Sequence, residues 1–314
     1  MSDEDIAPVF EDALAEARAE LAAITDNPEA PTFANTIDAL ELMGEGLHKV
    51  LSPFYTLAGV DSNPAREELQ REFSPKLAAW GSEVSMNPRL FARVDALWQD
   101  RDDLDLTPEQ LRVLELTRRG LVRAGAQLDG FAFDRLKQVK ERLAVLGTRF
   151  TQNLLADERS WYMELDEEDL EGLPDFVLAT AKAAAEEQGR EGHIVTLSRS
   201  LIVPFLQFSS RRDLRERAYE AWTSRGANGG ETDNRAIAKE TLALREERAH
   251  LLGYDDFATY KLETEMAKTP DAVRKLLMEV WEPAKAQADL DAQSLAAMRN
   301  NDGGNDALDP WDWR

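Results

Sequence analysis

Thr107-Pro108-Glu109-Gln110 holds a complete helix start in four residues. The threonine hydroxyl can accept a backbone N–H of the first turn, and the glutamine can reach back to the threonine's own N–H. Pro108 falls where its missing N–H would have gone unpaired, and its fixed φ already suits a helix. The same device, a capping side chain followed by proline, recurs at Asn63-Pro64, Asn87-Pro88 and Thr269-Pro270. Between these starts apolar residues return every three or four positions, so the chain reads as mostly α.

Worked outward, the pattern predicts helices over roughly 4–24, 35–50, 64–85, 88–99, 108–128, 132–163, 174–188, 209–225, 232–252, 256–267 and 270–300. Gly189 and Gly253 are placed as C-terminal stops. Pro283 falls inside the last helix and is expected to kink or divide it. Residues 193–208 are the exception. His193-Ile194-Val195-Thr196-Leu197 alternates and is β-branched, and Ile202-Val203 and Phe205-Leu206 follow, so a small β-hairpin is expected, with Pro204 holding its second half to an edge. Candidate linkers are Asp100–Asp105, Asp166–Leu173 and Arg225–Asp233. The organisation expected is an N-terminal helical region, 1–165, and a second helical region with the hairpin, 166–314.

A chain of 314 residues can bury a sizeable core. Its net charge of -23 repels phosphate backbones and anionic lipid, so neither nucleic acid nor membrane is expected as a partner. There is no cysteine, which excludes disulfides and thiolate chemistry and fits a cytoplasmic protein. Met1-Ser2-Asp3-Glu4-Asp5 is acidic and does not read as a signal peptide. No apolar run is long enough to span a bilayer.

The three histidines are His48, His193 and His250, and no two are four residues apart. A zinc peptidase needs two imidazoles on one helical face with a glutamate beside them, so no catalytic residue and no metal ligand is assigned within 1–314. Glu45-Gly46-Leu47-His48 and Glu247-Arg248-Ala249-His250 both spell the Glu-x-x-His of a di-iron bundle. Their separation is far more than adjacent bundle helices need, and helix-surface histidines are the simpler reading. Ser198, Ser200, Ser209 and Ser210 have no Gly-x-Ser-x-Gly setting. The carboxylate pairs Asp102-Asp103, Glu167-Glu168 and Asp255-Asp256 read as turn and helix-start acids. Arg211 to Arg217 reads as salt-laced helix surface, and Trp80, Trp98, Trp161, Trp222 and Trp281 as core anchors. The glycine-rich stretch Arg225-Gly226-Ala227-Asn228-Gly229-Gly230-Glu231 lacks a phosphate-loop pattern. It reads as a flexible or ligand-covering loop between helices, with a plain connector as the alternative.

Ordered blocks then point to a family. Phe33-Ala34-Asn35-Thr36-Ile37-Asp38-Ala39-Leu40-Glu41 comes first, then Ser74-Pro75-Lys76-Leu77 and Asn87-Pro88-Arg89-Leu90-Phe91. Val122-Arg123-Ala124-Gly125-Ala126-Gln127-Leu128 and Phe150-Thr151-Gln152-Asn153-Leu154-Leu155 follow in order. The most specific are Arg212-Asp213-Leu214-Arg215-Glu216, Ala221-Trp222-Thr223-Ser224-Arg225-Gly226, Asn228 to Asn234, Leu244 to Tyr254 and Met266-Ala267-Lys268-Thr269-Pro270. Together with the closing Leu308-Asp309-Pro310-Trp311-Asp312-Trp313-Arg314, they resemble the thimet oligopeptidase and peptidyl-dipeptidase family of zinc metallopeptidases, nearest its bacterial peptidyl-dipeptidase branch.

The resemblance implies a two-lobed helical enzyme with a deep channel, which takes short peptides and, in that branch, releases C-terminal dipeptides with one zinc ion. The family's zinc ligands and general base come from a downstream half whose His-Glu-x-x-His does not occur in this sequence. The chain is therefore expected to be the N-terminal portion of such an enzyme. It would form the channel's helical wall, bind no zinc itself and be inactive alone, with short peptides and the missing C-terminal catalytic half as its partners. Ala227, Asn228, Gly229, Gly230 and Glu231 are the candidate substrate-channel loop. Without its partner half, one helical face should be left bare and favour self-association. The alternatives are a free-standing helical peptide-binding or scaffold protein and, more remotely, the di-iron oxidoreductase.

Overall fold

The computed structural model describes residues 3–61, 63–301 and 307–313, so Met1, Ser2 and Arg314 of the stretches quoted above lie outside it. The chain falls into two compact units, Met1–Lys137 and Gln138–Arg314.

The first unit is helical throughout. It comprises α1 (Asp3–Thr25), a π-helical turn (Phe33–Asp38) running into α2 (Ala39–Leu42), α3 (Glu45–Val60), α4 (Pro64–Ser85), α5 (Pro88–Gln99) and α6 (Pro108–Ala124). The proline-marked starts form as their chemistry dictates. Thr107 Oγ1 accepts the Gln110 N–H at 3.2 Å while Gln110 Oε1 accepts the Thr107 N–H at 3.0 Å. Asn63 caps α4 through the Arg66 N–H at 2.9 Å, and Asn87 caps α5 through the Arg89 and Leu90 N–H groups, both at 3.0 Å. The helix expected over 35–50 is instead broken, because Gly44 takes φ +80 and gives its N–H to Glu20 Oε2 at 2.7 Å.

Two cores hold this unit. Ile6, Phe10, Ala13, Leu14 and Ala17 of α1 bury against Leu47, Val50 and Phe54 of α3 and Phe73 of α4. Phe10 stacks on Phe73 with ring centroids 3.9 Å apart. Further along α1, Leu21 and Ile24 join Leu90, Val94, Leu97, Leu114 and Leu121 of α5 and α6. A three-four spacing on α1 thus serves both cores, as an amphipathic stripe must.

The boundary between the units falls within α7 (Gly130–Ser160). After it come β1 (Tyr162–Leu165), α8 (Asp175–Glu187), β2 (His193–Thr196), α9 (Arg199–Phe208), α10 (Arg212–Thr223), α11 (Arg235–Leu251), α12 (Phe257–Leu262) and α13 (Pro270–Asn301). The mostly α expectation holds. The strand at 193–196 is also present, but the hairpin over 193–208 is not. β2 pairs antiparallel with β1, Tyr162 opposite Thr196 and Leu165 opposite His193, and 199–208 is helix α9. The reason lies in the spacing of Leu201, Ile202, Phe205 and Leu206. Short apolar runs fit a strand or a buried helix equally by pattern, and here all four side chains are buried in one core with Met163, Val177, Ala181, Val195 and Leu214.

Gly189 and Gly253 follow their helices with φ +66 and +81, as helix stops should. Pro283 does not divide the last helix, which runs 32 residues from Pro270 to Asn301. No α13 residue is buried, and Leu276, Leu277, Val280 and Trp281 are all about 60% exposed. Trp281 is therefore not a core anchor, whereas Trp161 and Trp222 pack on the second-unit core and Trp80 and Trp98 on those of the first.

Candidate functional site

The glycine-rich stretch between α10 and α11 is built on a side chain that sequence reasoning passed over. Asp157, in the last turn of α7, is 8% exposed. Its Oδ2 accepts the Gly226 N–H at 2.6 Å and the Asn228 side-chain N–H at 3.1 Å, and its Oδ1 accepts the Thr232 hydroxyl. Beside it, Glu158 pairs with Arg225. The far foot of the loop is Asn234, which is buried. Its backbone N–H reaches the Gly226 carbonyl at 2.7 Å and its side chain donates to Phe150 O at 3.0 Å. Asn153 completes the set, donating to Asn234 Oδ1 at 2.9 Å.

Gly226 is required at this joint. Its φ is +70, and an added Cβ would stand 3.0 Å from both Leu154 and the Asn234 amide. The loop's return is pinned by Asp233, which accepts the Gly229 N–H at 3.0 Å and the Arg235 N–H at 2.9 Å. Hydrogen bonds from the Arg235 side chain and backbone hold the Asp233 carboxyl down to about 2. The result is a loop with both feet fixed and an exposed tip, and that tip is Ala227, Asn228, Gly229, Gly230 and Glu231. All five predicted loop residues are brought together. The α7 residues that anchor the feet, Phe150, Asn153 and Asp157, lie some seventy to eighty positions before the loop in sequence, a distance no local motif could bridge.

The Arg211–Arg217 stretch also does more than line a surface. Asp312, whose side chain is 6% exposed, receives Arg215 at 2.9 Å, Arg212 at 3.0 Å and Arg299 at 3.1 Å. Arg212 also pairs with Asp309, and Trp311 packs edge-on against Tyr219. Burial pushes the Asp312 carboxyl up, but the hydrogen bonds from Arg212, the Asp309 N–H and Arg215 outweigh it and hold it below the usual range. Residues 307–313 are thereby fastened to α10.

An open groove of about 620 Å³ is lined by Glu158, Thr180, Ala184, Thr196, Ser198 and Leu201 among others. Ser198 and Ser200 bond one another at 2.9 Å, Ser209 accepts the Arg211 N–H, and Ser210 donates to Glu171 O. Among the described residues no imidazole activates any of them.

His48 and His250 are exposed, and the His250 ring lies 2.9 Å from Asp255 O and 3.3 Å from Glu246. Among the described residues, no group of three or more His, Asp and Glu side chains is placed to hold a metal ion. No helix among the described residues is long and apolar enough to cross a membrane.

Comparison with known proteins shows what the chain is similar to. The model of Peptidase family M3 matches residues 205–314, which contain α10, the loop, α11 and the clasped 307–313 segment. A dipeptidyl carboxypeptidase of Escherichia coli (strain K12) is 34% identical over 308 residues, covering 98% of this chain. The chain is thus similar to members of Peptidase family M3, and its residues 205–314 match that family's model. Oligopeptidase A of Salmonella typhimurium is 28% identical over 314 residues, and a probable cytosolic oligopeptidase A of Arabidopsis thaliana 27% over 295. The chain spans about half the length of the curated relatives it matches, 45% of the dipeptidyl carboxypeptidase and 46% of the oligopeptidase A.

Proposed function

We propose that this chain is the N-terminal helical wall of a zinc peptidase that cleaves short peptides and releases C-terminal dipeptides in the cytoplasm. The observation that carries this reading is the collinear match to a dipeptidyl carboxypeptidase along 98% of the chain, at higher identity than to the oligopeptidases. Zinc, the water-activating glutamate and the groups that hold the transition state belong, on this reading, to a downstream half. The chain alone is then inactive. Its role is to confine the peptide, with the Ala227–Glu231 tip facing the channel, and to seat the catalytic half. The bare face of α13 supports the second role, because a helix with no buried residue has not met its partner.

The test is enzymatic. An N-blocked tetrapeptide is incubated with the purified 314-residue chain and zinc, and separately with a protein in which the chain continues into its reading frame. Dipeptide release is expected only from the second. Release by the isolated chain would overturn the division of labour. Tight, zinc-independent peptide binding by the isolated chain would favour the free-standing binding protein instead.

A further inference from the structure

We propose that Asp157 is the positioning residue of the 226–233 loop: its carboxylate, rather than the glycine content of the loop, sets the shape in which the tip is presented to peptide. The peptide part of this statement rests on the function proposed above. The loop part rests on geometry alone.

Among the described residues Asp157 is a buried carboxylate with no ion-pair partner, and the hydrogen bonds it accepts from beyond its own helix come from one loop. Gly226 N–H and Asn228 N–H converge on Oδ2 and the Thr232 hydroxyl on Oδ1, so a single side chain ties the first, third and seventh residues of 226–232. A buried acceptor so placed is costly to remove, since three donors lose their partner at once. The loop is glycine-rich, yet its ends are held together, the Asn234 N–H reaching the Gly226 carbonyl at 2.7 Å, as the close ends of an Ω-loop are. Glycine supplies the turn angles at Gly226 and Gly229, and Asp157 selects one conformation among those that glycine permits.

The chemistry makes a sharp distinction between charge and hydrogen bonding. In Asp157→Asn the amide oxygen can keep both N–H donors, while its NH2 donates to the Thr232 hydroxyl, which accepts as readily as it donates. Asp157→Asn should therefore preserve the loop. Asp157→Ala should release it. The pair Asp157→Asn with Thr232→Val leaves a buried N–H without an acceptor and should release the loop again.

Hydrogen exchange followed by mass spectrometry reads the amides of 226–234 directly. In Asp157→Ala these should exchange at least about tenfold faster, while amides of α9 stay unchanged. Asp157→Asn should stay within about threefold of the wild type, and the double variant should return to the alanine level. Should Asp157→Ala fold poorly, Asn228→Ala with Thr232→Val removes two of the same bonds from the loop's side and should give the same local loss. Unchanged exchange in Asp157→Ala, or in that substitute pair, overturns the inference, as does an asparagine variant as open as the alanine one. In the active peptidase carrying this chain, Asp157→Ala should raise KM about tenfold with kcat little changed, and Asp157→Asn should restore it. Faster exchange with an unmoved KM would leave Asp157 as the loop's anchor and overturn the peptide-facing role of the tip.

Discussion

Helices α9 and α13 have the same local grammar and opposite fates. Each carries an internal proline, Pro204 or Pro283, and each has apolar residues at helical spacing. The ten residues of α9 bury Leu201, Ile202, Phe205 and Leu206. The 32 residues of α13 bury none. Propensity and pattern produce a helix in both cases, but only contact with other elements turns an apolar stripe into core. A stripe as wide as that formed by Leu276, Leu277, Val280 and Trp281 is the signature of a surface that meets another one.

The widest gap between the two helices should appear in stability. Phe205→Ala empties a site closed on all sides and should cost about 3–5 kcal/mol in urea unfolding. Leu277→Ala in α13 should change the same measurement by less than about 0.5 kcal/mol. Equal costs would mean that the isolated chain already covers α13, as self-association would do, and sedimentation at rising concentration would show it.

The clasp on Asp312 comes next. Asp312→Ala leaves the Arg212, Arg215 and Arg299 guanidiniums facing one another, with a cost of about 1–3 kcal/mol confined to the docking of 307–313. Fluorine NMR of 5-fluorotryptophan at Trp311 should report its release without loss of the α9 core. The pH dependence has a fixed sign. The folded-state pKa of Asp312 is depressed, so the contribution is complete above the ordinary carboxylate range and is lost as pH falls through the lower folded value.

At the loop, Gly226→Ala forces a side chain into a left-handed backbone and against Leu154, for about 1–2 kcal/mol by thermal unfolding. Gly230→Ala, with open space at its Cβ, should be close to neutral. A small, pH-dependent effect is expected at Asp233. With its pKa held at about 2, its bond to the Gly229 N–H persists through mildly acid solution and loosens only as pH falls from about 4 towards 2. Exchange at Gly229 measured across that range would show it, and loosening already at pH 5 would refute it.

The sequence made some of this legible and hid the rest for physical reasons. Capping is local, so Asn63, Asn87, Thr107 and Thr269 could be read within four residues and form as read. The loop tip was legible because glycine clusters mark turns. Its anchor was not, because Asp157 stands in the last turn of a long helix and looks like any exposed acid until the fold brings 226, 228 and 232 to it. Arg212 and Arg215 read as helix surface for the same reason, their partner Asp312 lying about a hundred positions away. The strand partner of β2 was missed because Tyr162–Leu165 continues the apolar pattern of α7.

By itself, then, the sequence determined the helical class, the helix starts, the lack of cysteine and the resemblance to Peptidase family M3. These depend on composition, short-range hydrogen bonds and the order of motifs. Only the tertiary structure decided that 199–208 is a buried helix, that Asp157 meets Gly226, Asn228 and Thr232 of the glycine-rich loop, and that α13 lies bare. Burial and long-range hydrogen bonding are set by which elements meet, and that choice is made by the whole fold at once.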